Sequence, residues 1–214
     1  MKTLGLAVAL GLLIPALAQA QDLELTAYGG YNLGGSIDVR EEVNNTFDTK
    51  DSFATGLSLT YQRGPGYAFE FFWGYRPTKI EGQNPTSFDK VDITDLDEHD
   101  FHANFLFMPA YTRSEFTPFF LFGLGATYLN PGEVAGVSPD GVTKFSWALG
   151  AGVKGFVNER IGLRAQVRYH STYVTDEYGG TWCDPWYGCY ETVETNWLDE
   201  WDFMGGLMVR LGRM

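Results

Sequence analysis

Residues 67–76 read YAFEFFWGYR, and this stretch decides the fold. Aromatic side chains occupy every second position from Tyr67 to Tyr75, while small or charged residues fill the alternate positions, with Phe72 as the one exception. Successive side chains of a β-strand point to opposite faces, so the stretch predicts a strand with one almost wholly aromatic face. A soluble sheet buries such a face against a second layer, whereas a closed barrel in lipid turns it outward. The alternation alone does not choose between these two structures.

The amino terminus indicates export. An uncharged apolar run follows Lys2 and ends at Leu17, before a small-residue site that closes at Ala20. This order is typical of a secretory signal peptide, predicted as residues 1–20, and leaves residues 21–214 as the mature barrel domain. An N-terminal membrane anchor is the alternative, but the run is shorter than the roughly 20 residues that a spanning helix needs.

Seven further stretches alternate in the same way. Long, polar connectors alternate with short ones between these stretches. The short connectors include the Gly- and Pro-rich residues 63–66 and the turn at 158–160. This arrangement predicts four long connectors at one end of the molecule and three shorter turns at the other. The predicted strands are residues 23–33, 53–62, 67–76, 101–108, 120–128, 145–154, 161–171 and 201–211.

The fold class predicted from these observations is all-β, an eight-stranded antiparallel up-and-down transmembrane barrel in the bacterial outer membrane. Only helices and closed barrels satisfy their backbone groups in lipid, and the strands have roughly the 9 to 11 residues needed to cross at a tilt. A hydrophobic content of 44% suits a barrel in which the outward face alone is apolar. Eight strands leave a lumen that side chains can fill. A soluble lipid-carrying barrel, with its aromatic stripes turned inward, is the alternative.

The chain resembles the OmpA-like family of eight-stranded outer-membrane barrels. The resemblance lies in YAFEFFWGYR at 67–76 and in WALGAGVKGFVNERIGLRAQVRYH at 147–170, and its pattern extends over the whole mature chain. It implies the architecture and leaves the activity open. The sequence ends soon after the eighth strand, so we expect no appended peptidoglycan-binding domain. It ends in Met214, where the family typically has an aromatic residue.

Charged residues in the inward phase are the first candidate site, because unpaired buried charge is expensive. We expect these ions to neutralise one another, and the alternative is a gate that opens a small pore when partners exchange. Glu70 is expected to reach Arg164 or Arg168 across the lumen. The predicted lumen network consists of Glu24, Glu70, Lys154, Arg164, Arg168, Asp202 and Arg210, with His102 and His170 in the same phase.

The order of the strands also predicts contacts between neighbouring strands. Lys154 is expected beside Arg164, and Glu24 is expected to meet Arg210 where the first and last strands close the barrel. Asp202 is expected near Arg168 and His170.

Catalysis is a competing function, since some eight-stranded barrels modify lipid. His170 and Ser171 are the best base and nucleophile in the sequence, but adjacent strand residues point to opposite faces. His170 can also meet Asp202, and His102 shares a phase with Asp100, yet neither pair has an obvious serine. The sequence therefore predicts no catalytic residue and no enzyme.

The long connectors carry most of the formal charge of −12. Carboxylates are calcium and magnesium ligands, but no fixed metal-loop spacing appears, so solvated acidic loops beside anionic lipid are the favoured interpretation and no metal site is predicted. The second connector is predicted to hold Asp89, Asp92, Asp95, Asp97, Glu98 and Asp100, and the fourth Asp176, Glu177, Asp184, Glu191, Glu194, Asp199 and Glu200.

Cys183 and Cys189 bracket a Pro- and Gly-containing turn in an exported chain, which predicts a loop disulfide. Closing so small a ring contributes on the order of 2 to 3 kcal/mol in the chain-entropy model. Aromatic residues beside them hint at a surface-binding tip, and they are equally consistent with an interfacial aromatic girdle.

The acidic balance disfavours nucleic-acid binding, and no phosphate-binding glycine loop precedes a helix, so no nucleotide cofactor is implied. The predicted function is a monomeric outer-membrane barrel with a structural or surface-interaction role and a side-chain-filled lumen. Its expected partners are outer-membrane lipid, lipopolysaccharide and an extracellular ligand at the long loops. A narrow channel for small solutes or ions is the main alternative.

Overall fold

The computed structural model describes residues 23–41, 43–62, 66–83, 90–109, 116–133, 139–174, 181–184, 188–191 and 197–211. Within these ranges it describes the backbone alone for residues 37–47, 83, 181–184 and 188–191. The predicted signal peptide, residues 1–20, lies outside the described residues and stays a prediction.

Twelve strands occur in the described part of the chain. They are β1 (Leu23–Leu33), β2 (Ser36–Glu41), β3 (Val43–Thr49), β4 (Ser52–Gln62), β5 (Tyr67–Gln83), β6 (Lys90–Phe107), β7 (Phe116–Pro131), β8 (Val142–Phe156), β9 (Ile161–Tyr173), β10 (Thr181–Asp184), β11 (Gly188–Glu191) and β12 (Trp197–Arg210).

Eight of these strands close into an antiparallel barrel, as the sequence predicts. The order around the ring is β1, β4, β5, β6, β7, β8, β9 and β12, and closure follows because β12 pairs with β1 and β5 pairs with β6. Closure satisfies the main-chain groups of every edge, which lipid requires. No helix among the described residues is long and apolar enough to span a membrane.

The faces of the strands have the predicted orientation. Phe69 and Phe71 are 53% and 55% exposed on the outside, while Glu70 is 3% exposed and Phe72 is fully buried inside. The same alternation continues around the ring, with apolar side chains exposed on every barrel strand. The apolar surface therefore faces outward, and the alternative of a soluble carrier with inward-facing aromatics is wrong.

Strands β5 and β6 are much longer than the sequence predicts. The third strand was expected to end at Arg76, with an acidic connector from Pro77 to about residue 99, but the ladder continues to Gln83 paired with Lys90. Lys79 accepts a main-chain hydrogen bond from Lys50, so Pro77, two residues earlier, directs its nitrogen to that same side. The ladder on that side stops at Tyr75 and resumes at Ile80. Proline is tolerated because no partner there needs its missing N–H.

The other long connectors also contain regular structure. The first, predicted as a polar loop, holds the hairpin β2–β3, whose end pairs with the extension of β5. The fourth is shorter than predicted, because β9 runs to Tyr173 and β12 begins at Trp197, and it holds the hairpin β10–β11. Strand β7 likewise starts inside the turn predicted at 109–118. Polar composition hid these strands, since strands outside the hydrocarbon need no apolar outward face.

An aromatic girdle surrounds the barrel toward the long connectors, the end we call the loop end. Tyr75 stacks on His99 with ring centroids 4.9 Å apart, and Tyr169 packs against Trp201 at 5.2 Å. Such girdles mark the membrane interface. The strand segments beyond this level, such as residues 77–83 and 90–97, therefore lie outside the hydrocarbon. The opposite end, at residues 63–66 and 157–160, is the turn end.

Phe71 lies midway along the aromatic stripe, so it tests the membrane orientation. We expect Phe71→Arg to lower the free energy of unfolding by about 2–4 kcal/mol, the cost of a charge at the bilayer midplane. The measurement is equilibrium urea unfolding of the chain refolded into lipid vesicles. Phe71→Leu is the control and should change stability little, and an equal result for the two variants would contradict the orientation.

Candidate functional site in the lumen

Three groups of charged side chains occupy the lumen at successive levels. Near the turn end, Lys154 donates hydrogen bonds to Glu24 at 2.7 Å and to Gln62 at 2.9 Å. Arg210 lies opposite Glu24 in the register, and its Nη2 is 3.7 Å from Glu24 Oε1. Lys154 lies opposite Arg164 on the neighbouring strand. These positions are the ones expected from the order of the strands.

The central group is built on Glu70. Arg164 crosses from β9 and donates to both carboxylate oxygens, at 2.5 and 3.3 Å. Thr60 and Asn104 each donate a further hydrogen bond at 2.9 Å. Of the two partners expected for Glu70, the structure brings Arg164 to it. A carboxylate with four donated hydrogen bonds is held in one position.

Two neighbouring groups support this central ion pair. A Cβ at Gly123 would lie 2.0 Å from Asn104 Oδ1, so the glycine leaves the room that Asn104 needs to reach Glu70. The Arg164 guanidinium also lies over the Phe119 ring, 4.4 Å from its centroid.

The group at the loop end is centred on Arg76. Its guanidinium donates to Glu98 at 2.9 Å and to Asp100 at 2.5 Å. Two more carboxylates, Glu200 and Asp202, each lie 3.4 Å away on β12. All five side chains are at most 1% exposed. One cation therefore joins carboxylates from two separate strands of the barrel.

His170 completes the loop-end group. Its Nε2 lies 2.9 Å from Arg76 Nη2 and 2.8 Å from Glu200 Oε2, so its tautomer decides whether it accepts from the arginine or donates to the carboxylate. Its Nδ1 lies 3.6 Å from Asp202. The expected proximity of Asp202 to His170 is thus present.

The donor atoms of this group have the spacing of a metal site but already surround a cation. Glu98, His170 and Glu200 place ligand atoms within 4.8 Å of one another, and so do Asp100, His170 and Asp202. The Arg76 guanidinium contacts both sets at hydrogen-bonding distance. A metal ion would have to displace that charge, so the geometry favours arginine as the resident cation.

Arg168 differs from the other lumen arginines. Its guanidinium lies over the Phe72 ring at 3.7 Å, and Nη2 is 3.4 Å from His102 Nδ1. It is next to Asp202 in the register, yet among the described residues it forms no ion pair within 4.0 Å. Its Nε and Nη1 are buried without a hydrogen-bond partner in the described part of the molecule.

Apolar clusters lie on both sides of the Arg76 group along the lumen. Toward the loop end, above Arg76, the cluster consists of Ile80, Leu96, Leu129, Val174 and Leu198. Toward the turn end it consists of Ala68, Leu106, Met108, Phe119 and Leu121. Phe72 packs with Tyr28, Ala54 and Met204 between them. Buried side chains thus occupy the lumen at several successive levels.

The centre of the loop-end group was not predicted from the sequence. Glu98, Asp100 and Glu200 were predicted to lie in solvated loops and Arg76 at the end of a strand, and both predictions are wrong. The signal was present, because Arg76 is in phase with Glu70, and Glu200 is in phase with Asp202. Of the other connector acids, Asp89, Asp176, Glu177 and Glu194 lie outside the described residues.

A buried Ser–His pair also escaped the sequence analysis. Ser146 Oγ lies 3.0 Å from His102 Nε2, although no serine was expected near His102. Arg168 can only donate, so its contact makes Nδ1 the acceptor and leaves the proton on Nε2. A histidine in that tautomer donates to Ser146 and cannot remove its proton. The geometry does not suit nucleophilic catalysis.

The other predicted pair is divided as expected. His170 contacts the lumen group, whereas Ser171 donates to Asp199 on the outer face at 2.5 Å. Separate faces prevent the two from acting together.

The cysteine hairpin is described only by its backbone. The register of β10 and β11 places Cys183 directly opposite Cys189, and directly opposed residues of an antiparallel pair have Cα atoms within the range that a disulfide spans. Their side chains lie outside the described set, and the disulfide stays a prediction.

Beyond the girdle, exposed ion pairs line the outward face of the β5–β6 extension. Asp92 accepts from Lys50 and Lys79, each at 3.0 Å, and these hydrogen bonds lower the pKa of the Asp92 carboxyl below its ordinary value. The pKa of Lys79 is raised by the same contact. Lys90 pairs separately with Asp48.

The closed ring of strands and its outward apolar face define a class, the eight-stranded outer-membrane barrels. The family model for the outer membrane protein beta-barrel domain matches residues 4–185. The chain belongs to this family, which confirms the resemblance predicted from the sequence, and it is a protein of the bacterial outer membrane.

Solved structures agree with the fold. OprG from Pseudomonas aeruginosa aligns with a TM-score of 0.61 and 14% identity, over 89% of this chain and 97% of that one. Neisserial surface protein A aligns with a TM-score of 0.57 and 13% identity, over 88% of this chain and 97% of that one. AlkL, solved in lipid bilayers, aligns with a TM-score of 0.55 and 14% identity, over 91% of this chain and 93% of that one. No curated protein sequence matches the chain. At these identities the likeness concerns the fold alone.

Arg76→Met tests the role of the loop-end cation. Removing the guanidinium leaves four buried carboxylates uncompensated, so we expect a loss of about 3–5 kcal/mol in the free energy of unfolding. Arg168→Met is the matched control and should lose less, because methionine keeps the contact with Phe72 and no ion pair is broken. The free energy of unfolding of both variants is measured by urea unfolding in vesicles, with heat-modifiable gel mobility as the readout. Equal losses would show that Arg76 is not the organising charge.

Lys79→Gln tests the exposed pairs. A lowered carboxyl pKa stabilises the pairing above the ordinary pKa of aspartate, and this contribution is lost as the pH falls through the lowered value. We expect the variant to raise the Asp92 pKa toward its ordinary value, as measured by carboxyl-detected NMR titration. Lys90→Gln, which removes a different pair, should leave the Asp92 titration unchanged. A shift of the same size in both variants would argue against the direct contact.

Proposed function

We propose that the chain is a sealed, monomeric outer-membrane barrel with a structural and surface-interaction role. The observation that carries this proposal is the packing of the lumen, in which the Arg76 group lies between two apolar clusters. A continuous water path needs room that these side chains occupy. The proposal includes a non-enzymatic role, supported by the unsuitable tautomer of His102.

The part of the protein that remains for function is the outer surface at the loop end. Strands β5 and β6 carry their ladder well past the girdle, and two hairpins extend the connectors. These elements support contact with partners outside the cell, and the surrounding partners are outer-membrane lipid and lipopolysaccharide. The exposed lysines and carboxylates beyond the girdle supply charge for such contacts.

A narrow channel is the second candidate function. It is favoured by the buried Nε and Nη1 of Arg168, which have no partner among the described residues and point to ordered water in the lumen. Under this proposal the Glu70–Arg164 pair would act as the gate, because it bridges the lumen at its centre.

Conductance in planar bilayers separates the two functions. For a sealed barrel we expect the refolded chain and its Glu70→Ala variant both to show no steps above the bare bilayer, since the apolar clusters persist in the variant. A general porin in the same bilayers is the positive control. Regular steps in the wild type that change in Glu70→Ala would reject the sealed barrel and support the channel. Native mass spectrometry of the same preparation tests the monomer.

A further inference from the structure

A carboxylate lies on the outward face of the barrel at the interface. Asp199 on β12 is exposed, and it is paired in the register with Ser171 on β9. The Ser171 hydroxyl, only 2% exposed, donates to Asp199 Oδ1 at 2.5 Å. Tyr169 lies two residues before Ser171 on the same face of β9. The lumen groups play no part in this arrangement, because Asp199 has the opposite phase to Glu200.

Aromatic rings flank the carboxylate on both sides along the strands. Toward the turn end, Tyr169 and Trp201 pack with ring centroids 5.2 Å apart. Toward the loop end, Tyr173 and Trp197 pack at 5.1 Å. Each pair is two residues from the Ser171–Asp199 pair, a distance of roughly 6.8 Å along an antiparallel strand. The carboxylate therefore lies between two aromatic pairs on the outer face, an arrangement that we call the Asp199 cleft.

The side of the cleft toward β1 is open. The chain there runs through Gly34 and Gly35, and a Cβ at Gly35 would lie 2.3 Å from the Asp199 carbonyl oxygen. Close approach of the two backbones thus requires a residue without a side chain. As a result, neither of these residues can cover the carboxylate from that direction.

Asp199 has no counter-ion among the described residues. The Ser171 hydroxyl that donates to it is neutral, and no lysine, arginine or histidine in the described part of the chain forms an ion pair with it. Tryptophan and tyrosine are sufficient to anchor a barrel at the membrane interface. Anchoring therefore does not account for the carboxylate of Asp199 at this level. Anionic lipid phosphates nearby would repel it.

We propose that the Asp199 cleft binds an organic ammonium group. Ring faces attract such cations, and a carboxylate between two ring pairs adds a direct ion pair. A metal ion fits poorly, because one carboxylate and aromatic rings offer too few oxygen ligands. The ammonium group comes either from a lipid headgroup or from a free amine. The site lies outside the lumen and is independent of whether the barrel conducts.

The first arm of the test uses the full chain in nanodiscs of phosphatidylglycerol, with choline chloride as the probe. Saturation-transfer NMR of the choline methyl protons should give saturable binding to the wild type and at least tenfold weaker binding to Asp199→Asn. Asp97→Asn is the matched control: Asp97 also accepts from a hydroxyl on the outer face, that of Tyr75 at 2.9 Å, but lacks a ring pair on each side. It should bind choline as the wild type does.

The second arm distinguishes the source of the ammonium group. Native mass spectrometry of protein released from mixed phosphatidylethanolamine and phosphatidylglycerol micelles reports which lipid is retained. Preferential retention of phosphatidylethanolamine by the wild type, lost in Asp199→Asn, assigns the site to a headgroup, and choline binding alone assigns it to free amines. Heat-modifiable gel mobility shows that each variant is folded. If Asp199→Asn matches the wild type in both arms, or the wild type shows neither effect, the proposal is wrong.

Discussion

A ring of eight strands is too narrow to hydrate the charges that it encloses, so each ionised group inside must be neutralised by another. This constraint organises the whole interior. Glu70 and Arg164 satisfy it as a bidentate pair across the centre, and Glu24 satisfies it with Lys154 near the turn end. At the loop end, Arg76 is shared by four carboxylates and satisfies it only in part. The apolar clusters pack beside these charged groups inside the lumen.

The loop-end group differs from the other two because its charges do not cancel one for one. Four carboxylates face Arg76, and His170 lies between two of them. Such an excess of acid needs protons or nearby cations to be stable in a low dielectric. The guanidinium of Arg168, opposite Asp202 in the register, is the next positive charge along the lumen. Electrostatic balance in this barrel is therefore shared between levels as well as within them.

The sequence was enough to predict the barrel, the number of its strands and the direction of its faces, because alternation over eight segments leaves few alternatives. It also predicted that Glu70 would reach across to an arginine, since strands three and seven are opposite in a ring of eight. Arg76 and Glu98 were missed for a physical reason. Pro77 and the acidic residues that follow it are typical of a loop if every strand is assumed to lie in lipid. Outside the hydrocarbon a strand may be polar on its outward face, and alternation then survives only in the buried residues.

The continuation of β5 and β6 past the girdle has a consequence for how the protein can vary. From Tyr75 to Gln83 the β5–β6 ladder rises roughly 20 Å along the barrel axis, so the second connector begins well clear of the lipid. The paired strands fix the distance between the two ends of that connector, whatever sequence joins them. Lengthening a loop between fixed ends costs little free energy, since closure entropy grows only with the logarithm of length. Tips of very different sequence can thus be exchanged on one unchanged barrel, which separates the evolution of the surface from that of the membrane-embedded wall.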